Sequence, residues 1–231
     1  MNLMTKPSAF PAILCIMLVW GCTQKSQPQQ PTELTYLALG DSYTIGEAVP
    51  EQERWPVQLV DSLQKAGIDV KAPTIIAKTG WTTNELMEAI DQAAVDSTYD
   101  FVSLLIGVNN QYRGYDINQY RVEFQSLLEQ ALAFANNRSE RVIVVSIPNY
   151  GVTPFAQSRN PERIGKELTT YDTIADSISG QYDVAFINIR NLSENARSDS
   201  SLLAQDQLHP SGKMYAQWVS RMLPIVTSKL K

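Results

Sequence analysis

From Leu34 onward, short apolar runs alternate with longer amphipathic stretches. Leu34 to Leu39 predicts a strand that ends in Gly40-Asp41-Ser42. Leu59, Val60, Leu63 and Ala66 recur at helical spacing, so Val57 to Ala66 predicts a helix that Gly67 closes. Pro73 to Ala77 predicts a second strand, running out near Gly80. Thr82 with Glu85 three residues later is the pattern of a capping box opening a helix through Ala94. Phe101 to Ile106 is apolar without alternation, as in a strand covered on both faces. A long helix follows, with Tyr120, Phe124, Leu127, Leu128 and Ala131 on one stripe. Val142 to Ile147 predicts a fourth strand, stopped by Pro148-Asn149. Pro161 opens a helix whose buried face is Ile164, Leu168, Tyr171, Ile174 and Ile178, with Gly180 at its end. Val184 to Ile189 predicts the fifth strand, and Tyr215 to Ile225 the closing helix.

Strands alternating with helices imply a parallel sheet between two helical layers, so the fold class is three-layer αβα. No Pro-rich or Gly-rich gap divides residues 33–231, and no repeat is visible, so they are expected to form one domain. In such sheets ligands bind outside the carboxyl ends of the strands.

The segment before that domain has a different character. Met1 to Lys6 carries one positive charge, Phe10 to Trp20 is almost wholly apolar, and Gly21-Cys22 follows. That run is shorter than the roughly 20 residues needed to span a bilayer, and it suits the core of an export signal. The stretch Val19-Trp20-Gly21-Cys22 resembles a bacterial lipoprotein signal. The resemblance implies a signal peptide over residues 1–21, lipidation of Cys22, and a polar tether over residues 22–32. Trp20 departs from the small or β-branched residue usual at its position. On this reading the protein is exported and lipid-anchored to the cell envelope, in an outer membrane, and touches the membrane through the anchor alone.

Charge and composition narrow the function. With 19 Lys+Arg against 24 Asp+Glu, no basic excess exists to displace counterions from nucleic acid. One His and two Cys, Cys15 and Cys22, exclude a zinc site built from several Cys or His ligands, and no metal is expected. Neither GxGxxG nor GxxxxGK[ST] occurs, and no cofactor is expected.

The polar residues that interrupt the pattern all fall at one sheet edge. Asp41 and Ser42 follow strand one, Gly80 follows strand two, Gly107 to Asn110 follow strand three, and Asp206 and His209 follow strand five. This convergence brings together a hydroxyl, a backbone amide, a carboxamide, and a carboxylate with an imidazole, the groups acyl transfer requires. A serine nucleophile needs a base near its working pH, and His209 is the sole histidine. One turn of chain brings the Asp206 carboxylate to the far ring nitrogen, where it fixes the tautomer. The blander alternative is a surface histidine at a helix entry.

Gly40-Asp41-Ser42, Gly80, Gly107-x-Asn109 and Asp206-x-x-His209 together resemble the four blocks of the SGNH (GDSL) hydrolases, over Leu34 to about Leu223. The resemblance implies a flavodoxin-like five-stranded parallel sheet. It also implies Ser42 as nucleophile, His209 as base and Asp206 as orienting acid, with an oxyanion hole from the N–H groups of Ser42 and Gly80 and the Asn109 amide. The family's third block usually ends in Asp where Asn110 stands, which bears on the hydrogen bonding of that loop. The GxSxG elbow of α/β-hydrolases is absent.

The resulting expectation is a serine esterase acting through an acyl-enzyme. Its substrate is a small-molecule or glycan ester with a short acyl group, such as O-acetyl on a carbohydrate. Tyr43, Trp81, Tyr112, Tyr115 and Tyr150 suit contact with sugar rings, and Arg113 contact with a carboxylate or phosphate. Two other readings compete. One is a catalytically silent lipoprotein binding a glycan or lipid. The other is a flavodoxin-like FMN carrier, disfavoured because the loop Ser42 to Glu47 ends in an anion.

Overall fold

The computed structural model describes residues 1–2, 33–95 and 97–231. Nearly all of the expected signal, Cys22 and the whole of the expected tether lie outside them. No helix among the described residues is long and apolar enough to cross a membrane.

Five strands, β1 (Tyr36–Gly40), β2 (Thr74–Ala77), β3 (Phe101–Leu105), β4 (Val142–Val145) and β5 (Ala185–Ile187), form one parallel sheet in the order β2-β1-β3-β4-β5. Every residue of β1, β3 and β4 is buried, which accounts for their unbroken apolar character, whereas the edge strand β2 is partly exposed. β1 is an interior strand next to the edge, pairing Leu39 with Ile76 on one side and with Leu104 on the other.

The helices are α1 (Ser42–Ile45), α2 (Trp55–Lys65), α3 (Thr83–Ala93), α4 (Val108–Tyr112), α5 (Ile117–Phe134), α6 (Pro161–Gln181), α7 (Arg190–Ser193) and α8 (Gly212–Leu230). α2 packs with α8, and α5 packs with α3 and α6. Right-handed crossovers put α2 on one face and α3, α5 and α6 on the other, because the chain runs one way from β1 to β2 and the other way from β2 through β3 and β4 to β5. That reversal lies between β1 and β3, the crevice where open α/β sheets take their ligands.

Several boundaries differ from those predicted. β1 begins at Tyr36, Leu34 forming only an isolated bridge to Val70, and β5 is confined to Ala185–Ile187. The end of α6 is not set by Gly180: Asp183 supplies the left-handed residue at φ 54°. α8 continues through Pro224 to Leu230, because Val226 and Leu230 still reach the core. α4 was not anticipated. Its N-cap Gly107 has φ 125°, and a Cβ there would stand 2.7 Å from the Tyr120 ring.

Candidate active site

Ser42 opens α1 directly after β1. The buried Asp41 carboxylate caps that helix, Oδ1 accepting the Tyr43 N–H at 3.0 Å. Asp41 Oδ2 has no hydrogen-bond partner among the described residues, and burial pushes this carboxyl up to about 7. The Ser42 N–H makes no hydrogen bond to another described residue, and neither does that of Gly80. Both are therefore open donors.

His209 sits in a tight loop between β5 and α8. The loop is closed by the Leu203–Pro210 bridge and by Ala204 N–H donating to the His209 carbonyl at 2.8 Å. Within it Asp206 Oδ1 accepts the N–H groups of Leu208 at 3.0 Å and His209 at 2.9 Å, while Oδ2 lies 2.5 Å from His209 Nδ1. Partial burial opposes ionisation of Asp206, but the ring and the two N–H donors outweigh it and hold the carboxyl below its usual range. The Tyr43 ring meets the imidazole edge-on at 5.7 Å.

Three contacts tie the Gly80 and Asn109 loops together. Asn109 Nδ2 donates to the Trp81 carbonyl at 2.9 Å, which fixes the amide plane and leaves its second N–H for a ligand. Arg113 Nη2 donates to the Gly80 carbonyl at 2.6 Å, and Nη1 donates to Glu85 at 3.2 Å. Arg113 is thus held by the protein itself and steadies Gly80, where φ is 89°. Asn110 is fully buried: its Oδ1 accepts the Thr83 N–H at 3.1 Å and its Nδ2 donates to Thr83 Oγ1 at 2.6 Å. Thr83 in turn donates to Glu123. Where the family resemblance implies a carboxylate, position 110 holds a neutral amide in a relay that ends on Glu123, one helix away.

Ser42, Gly80, Asn109 and His209 line one cavity of about 190 Å³, joined by Thr79, Val108, Leu208 and the rings of Tyr43, Tyr112, Tyr150 and Phe155. All five strand ends contribute. Asp206 stands behind His209, outside the lining. Ser42 Oγ and the His209 imidazole are not hydrogen-bonded to each other, and such a contact commonly tightens only around substrate. Trp81 and Tyr115 do not line this cavity. Phe155 was missed by sequence reasoning, which treated Pro148-Asn149 only as a stop; its signal was an aromatic in the loop leaving β4. That loop is anchored by the buried Asp172, which accepts from Ile147 N–H at 2.9 Å and from Arg190 Nε at 2.9 Å. Burial outweighs the nearby guanidinium and pushes the Asp172 carboxyl up to about 6.

The family model of the GDSL-like lipases/acylhydrolases matches residues 38–217. The chain belongs to that family. An arylesterase of Vibrio mimicus is 30% identical over 144 residues, a match covering 60% of this chain and 66% of the relative, just short of two thirds of its length. Among solved structures, TesA superposes with a TM-score of 0.67 at 16% identity, covering 84% of this GDSL-family chain and 99% of its own. The esterase EstA of Pseudoalteromonas sp., solved inhibited by monoethylphosphonate, gives 0.64 at 18% identity, covering 85% and 98%. An acetyl-xylooligosaccharide esterase of Geobacillus, Axe2, gives 0.65 at 16% identity, covering 84% and 94%. At these identities the structures speak for the three-layer SGNH fold.

Proposed function

We propose that this GDSL-family protein is a carboxylic ester hydrolase in which Ser42 attacks the acyl carbon. The observation that carries the reading is one cavity receiving a serine hydroxyl, an imidazole backed by a carboxylate, and two uncommitted N–H groups beside a fixed carboxamide. His209 Nε2 takes the Ser42 proton as the serine–acyl bond forms, and Asp206 holds Nδ1–H and stabilises the imidazolium. The N–H groups of Ser42 and Gly80 and the free Asn109 N–H meet the oxyanion. His209 then returns the proton to the departing alcohol. Water, deprotonated by the same ring, releases the acid from the acyl-enzyme.

The acyl group is short. A cavity of about 190 Å³ lies below the roughly 300–1,000 Å³ of sites that enclose drug-sized ligands, and rings of Tyr112, Tyr150 and Phe155 close it. The relatives named arylesterase and acetyl-xylooligosaccharide esterase support small acyl esters, O-acetyl on a carbohydrate among them. We further propose that Cys22 is lipidated and tethers the exported domain to the envelope. Labelled palmitate entering the wild type but not Cys22→Ala would support this, and equal labelling would refute it.

The esterase reading is tested with a fluorophosphonate serine probe and mass spectrometry. A single adduct on Ser42, absent from Ser42→Ala, is expected. A folded protein that forms no adduct would leave Ser42 unactivated and favour a silent binding protein.

A further inference from the structure

A second, larger cavity of about 620 Å³ adjoins the first, and the two share Tyr112 and Tyr150 as walls. The small cavity is sized for an acyl group; the larger one falls within the range that holds a whole small molecule. Its wall includes three arginines and one glutamate. Two of the arginines are committed: Arg113 to Glu85 and the Gly80 carbonyl, and Arg163 to Glu167 at 2.6 Å. Glu167 is further occupied by Gln111 Nε2 at 2.7 Å.

Arg159 is different. Among the described residues it pairs with no carboxylate. Its guanidinium carbon lies 4.8 Å from the Tyr112 ring centroid and 4.9 Å from that of Phe155, and Nη2 donates to the Tyr112 hydroxyl at 2.9 Å. Phe155 belongs to the small cavity and Tyr112 to both, so Arg159 stands at the seam. Two rings and a hydroxyl fix the plane of a guanidinium whose other N–H groups have no partner among the described residues. Such a fork is suited to the paired oxygens of a carboxylate or phosphate.

We infer that the larger cavity binds the alcohol part of the ester and that Arg159 selects alcohols carrying an anionic group, a carboxylate or a phosphate. This inference rests on the esterase reading, with the acyl group in the small cavity and the carrier beyond Tyr112. The protein as a whole carries a net charge of −5, so its overall field disfavours anions, and preference for one has to come from a local cation.

The test compares the purified full-length protein on three matched substrates: a mono-O-acetyl methyl hexoside, the corresponding uronate, and the corresponding 6-phosphate. The readout is kcat/KM for each anionic member divided by that for the neutral one. A ratio of about tenfold or more is expected for at least one anion, the order of effect of one charge-assisted hydrogen bond, and the two anions distinguish carboxylate from phosphate as its source. Arg159→Gln should bring the ratio to within about twofold of unity. Arg159→Lys should retain part of it, since the charge stays while the planar fork and ring stacking are lost. Added salt should lower the wild-type ratio. Hydrolysis of the neutral ester with no preference for either anion, or a preference that survives Arg159→Gln, would overturn the assignment while leaving the esterase intact. Failure to hydrolyse any of the three, or p-nitrophenyl acetate, would overturn both.

Discussion

The Asp206 carboxylate holds His209 at two points, Oδ2 on the ring Nδ1 at 2.5 Å and Oδ1 on the backbone N–H at 2.9 Å. One side chain thus shapes the loop and orients the imidazole. Asp206→Asn keeps an oxygen for the backbone contacts but no longer matches the ring. It should lower kcat by about 10²–10⁴ with a melting temperature close to wild type. Asp206→Ala loses both functions and should also melt earlier. Equal melting of the two variants in calorimetry would show that the backbone contacts do not stabilise the loop.

In the proposed mechanism Ser42 and His209 act on one proton. Each alanine variant is expected to reduce turnover of p-nitrophenyl acetate by at least about 10³, and the double variant to be little worse than either. Additive losses in steady-state kinetics would separate the two residues into different steps.

Asn109 donates one N–H to Trp81, and in the proposed mechanism the other meets charge that appears during reaction. Asn109→Ala should therefore lower kcat by about 10²–10³ and change KM little. A raised KM with kcat preserved would make Asn109 a contact to the ground-state substrate.

Asn110 works as a donor to Thr83, whose own proton goes to Glu123. An aspartate at 110 can only accept, so Thr83 would have to abandon Glu123. Asn110→Asp should destabilise by about 1–3 kcal/mol, the range for leaving a buried partner unpaired. Glu123→Gln in the same chain should recover much of that loss, because Gln can donate to the Thr83 oxygen. Thermal melts of the four proteins in a double-mutant cycle measure the coupling, and a coupling near zero would refute the relay.

Asp41 sets a pH dependence of stability. Its folded pKa, about 7, lies above the ordinary carboxylate value, so the folded state holds the proton more tightly than the unfolded chain. Its contribution is full below about pH 4 and is lost as pH rises to about 7. Asp41→Asn keeps an oxygen for the Tyr43 N–H and should flatten the fall by on the order of a few kcal/mol. A weaker fall in the same direction should remain from Asp172, raised to about 6. Melting temperatures at pH 4 to 8 read this directly, and parallel profiles for wild type and variant would locate the proton elsewhere.

Much of this arrangement is legible in the sequence, for identifiable reasons. β1, β3 and β4 are buried on both faces and so are apolar at every residue or nearly so, and Thr82 with Glu85 caps α3 as the spacing implies. Asp206 reaches His209 within one loop, so sequence proximity sufficed. What was hidden depends on distant packing. Five-residue α4 is too short to show a period, and it carries Asn109. Phe155 and Arg159 gain their places only when the loop after β4 folds over Tyr112. Arg113, legible as a ligand for anions, is taken by Glu85 and the Gly80 carbonyl, a pairing between segments that nothing local announces.

The order of the chain has a consequence for synthesis. All five strands lie between Tyr36 and Ile187, whereas Asp206 and His209 come after them and α8 follows last. Ser42 and all five strands are therefore translated before the loop that carries Asp206 and His209. On the proposed mechanism Ser42 has no base to activate it until that loop has been made and α8 packs beside α2. Under that mechanism, turnover would report that the segment from Asp206 through α8 is in place.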